Sequence, residues 1–158
     1  MDLFQTDADR LLALPKIHVG SDKTYLLPKD GKTLEIELMS EDQSESFILN
    51  IWRGTIRLDK TTYGTRYKKI YILSRLDING YHTNPDVEPP LDFLRPYVGR
   101  RFNAETHVHI YTEGFNDKWA VPLPHSILKE VSVPQDYLVQ FMRYCNIIEP
   151  PTFQGTLV

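Results

Sequence analysis

From Thr106 to Tyr111 the chain reads Thr-His-Val-His-Ile-Tyr, a change of character at every second residue that a strand accommodates and a helix does not. In extended chain Val108 and Ile110 project to one side and His107, His109 and Tyr111 to the other, giving one apolar face and one chemical face. A turn over 113–117 with Gly114 follows, and Lys118 to Leu123 resumes an extended pattern, so the segment predicts a β-hairpin.

Similar alternation fills the middle of the chain. Tyr25-Leu26-Leu27 and Leu34-Glu35-Ile36-Glu37-Leu38 flank Asp30-Gly31, a second predicted hairpin. Phe47, Leu49 and Ile51 share a parity that Ile56 and Leu58 break, which predicts a bulge near Gly54. The run from Tyr67 to Ile78 predicts the longest strand, with Ile70, Ile72, Leu76 and Ile78 on one face and Lys69, Tyr71, Arg75 and Asp77 on the other. Asn79-Gly80 predicts a turn, His82 to Asp86 an ordered loop, and 87–104 an irregular excursion anchored by Leu91, Phe93, Leu94 and Tyr97.

Helical signals lie at the two ends. Thr6 before Asp7 and Asp9 predicts a capped start to a short helix that stops before Pro15. Pro134 behind Ser132 opens a second helix carrying Tyr137, Leu138, Phe141, Met142 and Cys145 at helical spacing. The tail over 149–158, with Pro150-Pro151, is expected to be extended and either loosely packed or a docking segment. The expectation is one α+β domain over 1–158, an antiparallel sheet with the short N-terminal helix and the C-terminal helix packed on one face.

Cys145 is the only cysteine among 158 residues, so an internal disulfide is excluded and a structural thiol in a reducing compartment is expected. No apolar run reaches the roughly 20 residues of a membrane helix, and Met1-Asp2-Leu3-Phe4 lacks the basic start of a signal peptide, so a cytoplasmic protein without a membrane partner is expected. The formal net charge of -3 argues against indiscriminate coating of nucleic acid. Locally the balance reverses: Arg53, Arg57, Lys60, Arg66, Lys68, Lys69 and Arg75 face a single acid, Asp59. That stretch suits either a solvated hairpin or an anion-binding face.

His107 and His109 are close enough on one strand face to share a metal or a phosphate, with His82, Asp86, Asp77 or Glu113 as the further ligands a metal would need. Nothing outside the pair has a recognised ligand spacing, so neither a metal nor another cofactor is expected. In the metal-free alternative one imidazole acts as base and the other as acid, while Arg75 and Lys118 stabilise a charged phosphorane. Arg57, Lys69, Tyr71, Tyr111, His82 and Asp86 are the candidate substrate-binding residues. A Walker loop is absent, since Asp30-Gly31-Lys32-Thr33 lacks its upstream glycine, and no Gly-x-Ser-x-Gly elbow occurs.

Taken together, Leu76-Asp77-Ile78-Asn79-Gly80, His82-Thr83-Asn84-Pro85-Asp86, His107-Val108-His109-Ile110-Tyr111 and Asp117-Lys118-Trp119-Ala120 resemble a family of small uncharacterised bacterial and prophage proteins. In plan, a basic strand, an Asn-Gly turn and a His-x-His strand, the chain is more distantly similar to TumE-type toxins. The resemblance implies a toxin-like RNA-binding protein or metal-independent endoribonuclease, with RNA or an antitoxin as partner. The rival expectation is a non-catalytic phage or prophage protein that inhibits a host or defence protein through the 87–101 excursion and the tail. Acid concentrated in the first third, from Asp2 to Glu45, supports that rival. The sequence leaves the oligomeric state open.

Overall fold

Alternating apolar residues build eight strands into one sheet in the computed structural model, which describes residues 2–29, 31–54 and 60–154. In chain order the elements are α1 (Gln5–Ala13), β1 (Lys16–His18), β2 (Thr24–Leu26), β3 (Thr33–Ser40), β4 (Ser46–Arg53), β5 (Thr61–Tyr67) and β6 (Tyr71–Thr83). A 3-10 helix (Asp92–Tyr97), β7 (Arg101–Thr112), β8 (Asn116–Pro122), α2 (Pro134–Tyr144), β9 (Ile147–Glu149) and β10 (Thr152–Gln154) complete the domain. The sheet runs β8-β7-β6-β5-β4-β3-β1-β9 and is antiparallel except where β9 joins β1. The architecture is a single α+β domain with a mostly antiparallel sheet and a short helix near each end of the chain.

Ala8 and Leu11 of α1, and Tyr137, Leu138, Phe141 and Met142 of α2, belong to one apolar cluster with Ile36, Leu49, Tyr63, Leu76 and Val108 of the strands. Lys16 joins the ends of the two helices. Its fully buried ammonium donates to the carbonyls of Leu12, Leu14 and Cys145 at 2.8, 2.9 and 2.8 Å, using all three donors on groups that the helix ends leave unpaired. Cys145 is buried and accepts from Thr65 Oγ1 at 3.1 Å; burial pushes its thiol up to about 11.

Several local expectations give way to longer-range pairing. Tyr25–Leu27 does not form a hairpin with β3: a strand has two edges, and those of β3 are taken by β4 and β1, leaving β2 to pair in parallel with β10. Within the expected tail, Thr152–Gln154 forms strand β10 on β2, just after β9 has joined β1, and 155–158 lie outside the described residues. Helix α1 starts two residues early behind Phe4, without a Thr6 cap, and Gln5 instead bonds Asp9 and the Tyr111 carbonyl. Residues Ile56 and Leu58, on which the bulge near Gly54 was argued, lie outside the described residues.

Two departures shape the candidate site. Lys68 and Lys69 adopt positive φ (51° and 62°) and form the turn between β5 and β6, so Tyr67 to Ile78 is two strands rather than one. The pairing of β5 with β6 then slips by one residue, from Thr65–Ser74 to Arg66–Ile72, which makes Leu73 an inserted residue. Past such a slip the side-chain parity reverses: Ile72 joins Arg75 on the outer face, whereas Tyr71 packs against the apolar cluster. Asn79-Gly80 is not a turn but lies inside β6, where Asn79 has φ 54° and the pairing with β7 is irregular on both sides of Gly80.

Candidate functional site

The irregularity at Asn79-Gly80 brings the far end of the β6–β7 hairpin close to the histidines. A β-carbon on Gly80 would sit 3.0 Å from Asp77 Cβ and 3.0 Å from His107 Cε1, so a side chain there would press on both site residues. Adjacent register pairs set the rest: Asp77 lies opposite His107, and Arg75 opposite His109. His109 in turn faces Ala120 on β8.

His107 and His109 lie outside the apolar cluster that holds Val108, yet both are fully buried; Tyr111, expected on their face, is buried within that cluster instead. The two histidines are covered by other rings. Phe102 stacks on His107 with centroids 4.6 Å apart, His82 meets His109 edge-on at 4.5 Å, and Arg100 lies over Phe102 while pairing with Glu105. Tyr111 leaves this group: its hydroxyl donates to the Leu3 carbonyl at 2.6 Å and its ring joins the apolar cluster, where the β7–β8 register breaks between Ile110 and Thr112.

Backbone carbonyls orient both imidazoles. His107 Nδ1 lies 2.7 Å from the Glu105 carbonyl and His109 Nδ1 2.8 Å from the Asp117 carbonyl. A carbonyl only accepts, so each Nδ1 carries the proton and each Nε2 is turned toward Asp77. His109 Nε2 lies 3.1 Å from Asp77 Oδ2; His107 Nε2 lies 3.5 Å from the same oxygen without a hydrogen bond. Burial works against a charged Asp77, but the Arg75 guanidinium, joined by either imidazole when its Nε2 also carries a proton, outweighs it and holds the carboxyl well below its ordinary range. Arg75 bonds Asp77 Oδ1 at 3.2 Å, Asp117 Oδ2 at 2.8 Å and His109 Nε2 at 2.9 Å.

Asn84, named in the sequence only as part of a loop, ties the site together. Its amide donates to the carbonyls of Tyr97 (2.9 Å) and Ala120 (2.8 Å), and its oxygen accepts from Ala120 N (2.9 Å) and meets His82 Nε2 (3.0 Å). His82 Nε2 also reaches the Lys118 carbonyl at 2.9 Å; burial, together with the charge of His109, lowers the imidazole's proton affinity.

Of the residues singled out from the sequence, His107, His109, Arg75 and His82 converge, with Asp77 at their centre. Lys118 contributes its carbonyl, while its side chain is exposed. Asp86 is exposed beside Gly99 in the excursion, and Arg57 lies outside the described residues. Lys69 lies in the β5–β6 turn, lining a different concavity of about 300 Å³ with Val19, Met39 and Lys68. Glu113 is tied by its amide to Gln5, away from the cluster.

Arg75 also borders an open groove of about 260 Å³ on the outer face of the sheet. Asn50 and Trp52 of β4, Thr62, Gly64 and Arg66 of β5, and Ile72 and Arg75 of β6 line it. Arg66 is held by Asn50 Oδ1 (2.8 Å) and Glu35 (2.9 Å), and Thr62 Oγ1 reaches Asp77 Oδ1 at 3.1 Å, so groove and histidine cluster share a wall.

A family model described as a family of unknown function (DUF6978) matches residues 3–147. The chain belongs to this family. The match takes in the histidine cluster, the groove and both helices, so the described site lies wholly within the family's domain. No curated protein and no solved structure matches the chain. No helix among the described residues is long and apolar enough to cross a membrane.

Proposed function

We propose that this protein binds single-stranded RNA in the groove between Trp52, Arg66 and Arg75, as the RNA-binding part of a bacterial or prophage toxin-like system. The observation that carries the reading is an indole and two guanidinium groups around one open groove floored by Gly64. Single-strand binders combine these elements: bases stack on an aromatic ring, and fixed positive charge follows the phosphates. A β-carbon on Gly64 would meet Ser74 O at 3.8 Å, Asn50 Cβ at 3.9 Å and Arg75 Cγ at 4.0 Å, all ordinary contacts.

Binding is favoured over metal-independent cleavage. For His107 and His109 to act as base and acid, both Nε2 atoms would have to reach a strand in the groove, yet they are buried and face Asp77. The competing interaction-protein reading draws on Val87, Phe93 and Val98, which are exposed apolar residues of the 87–101 excursion.

The test is binding of a fluorescent oligouridylate by purified protein and by Trp52→Ala, with both confirmed folded by circular dichroism. Stacking contributes about 1–3 kcal/mol per base, so the variant is expected to bind roughly tenfold more weakly, with the RNA left intact. RNA cleavage that disappears in folded His107→Ala/His109→Ala would support the endoribonuclease instead. Equal binding by both proteins would remove the groove from consideration.

A further inference from the structure

The contacts around His109 Nε2 cannot all be hydrogen bonds. With its proton on Nδ1, facing the Asp117 carbonyl, Nε2 has one lone pair, yet a donor (Arg75 Nη2, 2.9 Å) and an acceptor (Asp77 Oδ2, 3.1 Å) both crowd it. If Nε2 accepts from Arg75, it opposes the carboxylate; if it is protonated and donates to Asp77, it opposes the guanidinium. His107 Nε2 is fully buried, aimed at the same oxygen and without a hydrogen-bond partner.

We infer that Asp77, His107 and His109 form a binding site for a divalent transition-metal ion. Three potential ligand atoms, one from each residue, lie within 4.8 Å of one another. Bonds of about 2.0–2.2 Å in a tetrahedral arrangement require ligand atoms roughly 3.3–3.5 Å apart. The Asp77 Oδ2 separations of 3.1 and 3.5 Å are close to that value, and the two imidazole ligand atoms, within 4.8 Å of each other, would close on a shared ion by side-chain adjustment. Each histidine already donates its other ring nitrogen to a backbone carbonyl, the support that fixes a metal-ligating imidazole. An ion would accept the lone pairs of both Nε2 atoms and of Oδ2, removing the opposition between them. Arg75 Nη2 would move aside, with Asp117 Oδ2 and Asp77 Oδ1 still holding the guanidinium. Two imidazoles and one carboxylate leave coordination positions open, the donor set of catalytic zinc sites and non-haem iron sites. The assignment reverses the metal-free expectation drawn from the sequence and does not rest on RNA binding in the neighbouring groove, although Arg75 borders both.

The probe is Zn²⁺ alone, titrated calorimetrically into chelator-treated full-length protein, with thermal unfolding in parallel. One ion per chain and a rise in Tm at stoichiometric zinc are expected, because an ion bound only by the folded chain stabilises it by mass action. Both effects should vanish in His107→Ala and His109→Ala. Should either alanine variant fail to fold, Arg75→Gln keeps all three ligands, removes the competing cation and is expected to bind zinc about tenfold more tightly. Co²⁺ should give the visible spectrum of a nitrogen–oxygen site in the wild type. Absence of stoichiometric binding in folded wild type, or binding unchanged by removal of His107 and His109, would overturn the assignment and leave Arg75 as the cluster's own cation.

Discussion

Replacing Asn84 with Ala isolates the residue that connects the 87–101 excursion, β8 and His82. The side chain is 3% exposed and makes four short contacts. Truncation strands the Ala120 N–H and the Ala120 carbonyl, while the Tyr97 carbonyl keeps the Arg100 N–H and His82 Nε2 keeps the Lys118 carbonyl. Each buried backbone group left without a partner costs about 1–3 kcal/mol, and some water will enter the space, so a total loss of about 2–4 kcal/mol is expected. With an m-value of about 2 kcal/mol/M, the urea midpoint should fall by roughly 1–2 M. Asn84→Asp makes the argument sharper: it keeps an acceptor for Ala120 N but turns a carboxylate oxygen toward two carbonyls, so it should be no more stable than the Ala variant. A loss below about 1 kcal/mol for Ala, or a well-tolerated Asp, would refute the claim that this amide organises the site.

Two further outcomes follow from the buried ionisable groups. Asp77 ionises more readily folded than unfolded, so its contribution is complete above the ordinary value of 3.8 and is lost as pH falls below it; wild type should lose stability more steeply than Asp77→Asn between about pH 5 and pH 2.5. Parallel acid limbs in urea titrations would contradict the charge assigned to Asp77. Cys145, whose thiol is pushed up to about 11 by burial, should resist a maleimide at neutral pH and react once urea unfolds the chain. Rapid labelling of the native protein would contradict that burial.

Features that depend on neighbouring residues were readable from the sequence. The β7–β8 hairpin and α2 follow from alternation around Gly114 and from the helical spacing of Tyr137, Leu138, Phe141 and Met142. Features set by distant partners were not. The inserted Leu73 reverses the parity of β6, so Tyr71 was assigned to the wrong face and Ile72 to the core. Parallel pairing of β9 and β10 depends on strands more than a hundred residues earlier. His107, His109 and Arg75 were legible as a group because register is local to a hairpin. Their burial was not, because it arises from the Asn79-Gly80 irregularity and from Phe102 and His82 closing over them. The carbonyl cage of Lys16 and the four contacts of Asn84 carry no local signal beyond residue type.

The salt dependence of single-stranded RNA binding tests the proposed function most directly. Phosphate contacts by Arg66 and Arg75 release counterions at about 0.7 per contact, so log K against log salt should fall with a slope of roughly -1.4. Arg66→Ala should reduce that slope by about 0.7 and leave the remainder to Arg75. A folded protein that binds no RNA even at low salt, or a slope unchanged by Arg66→Ala, would contradict the account.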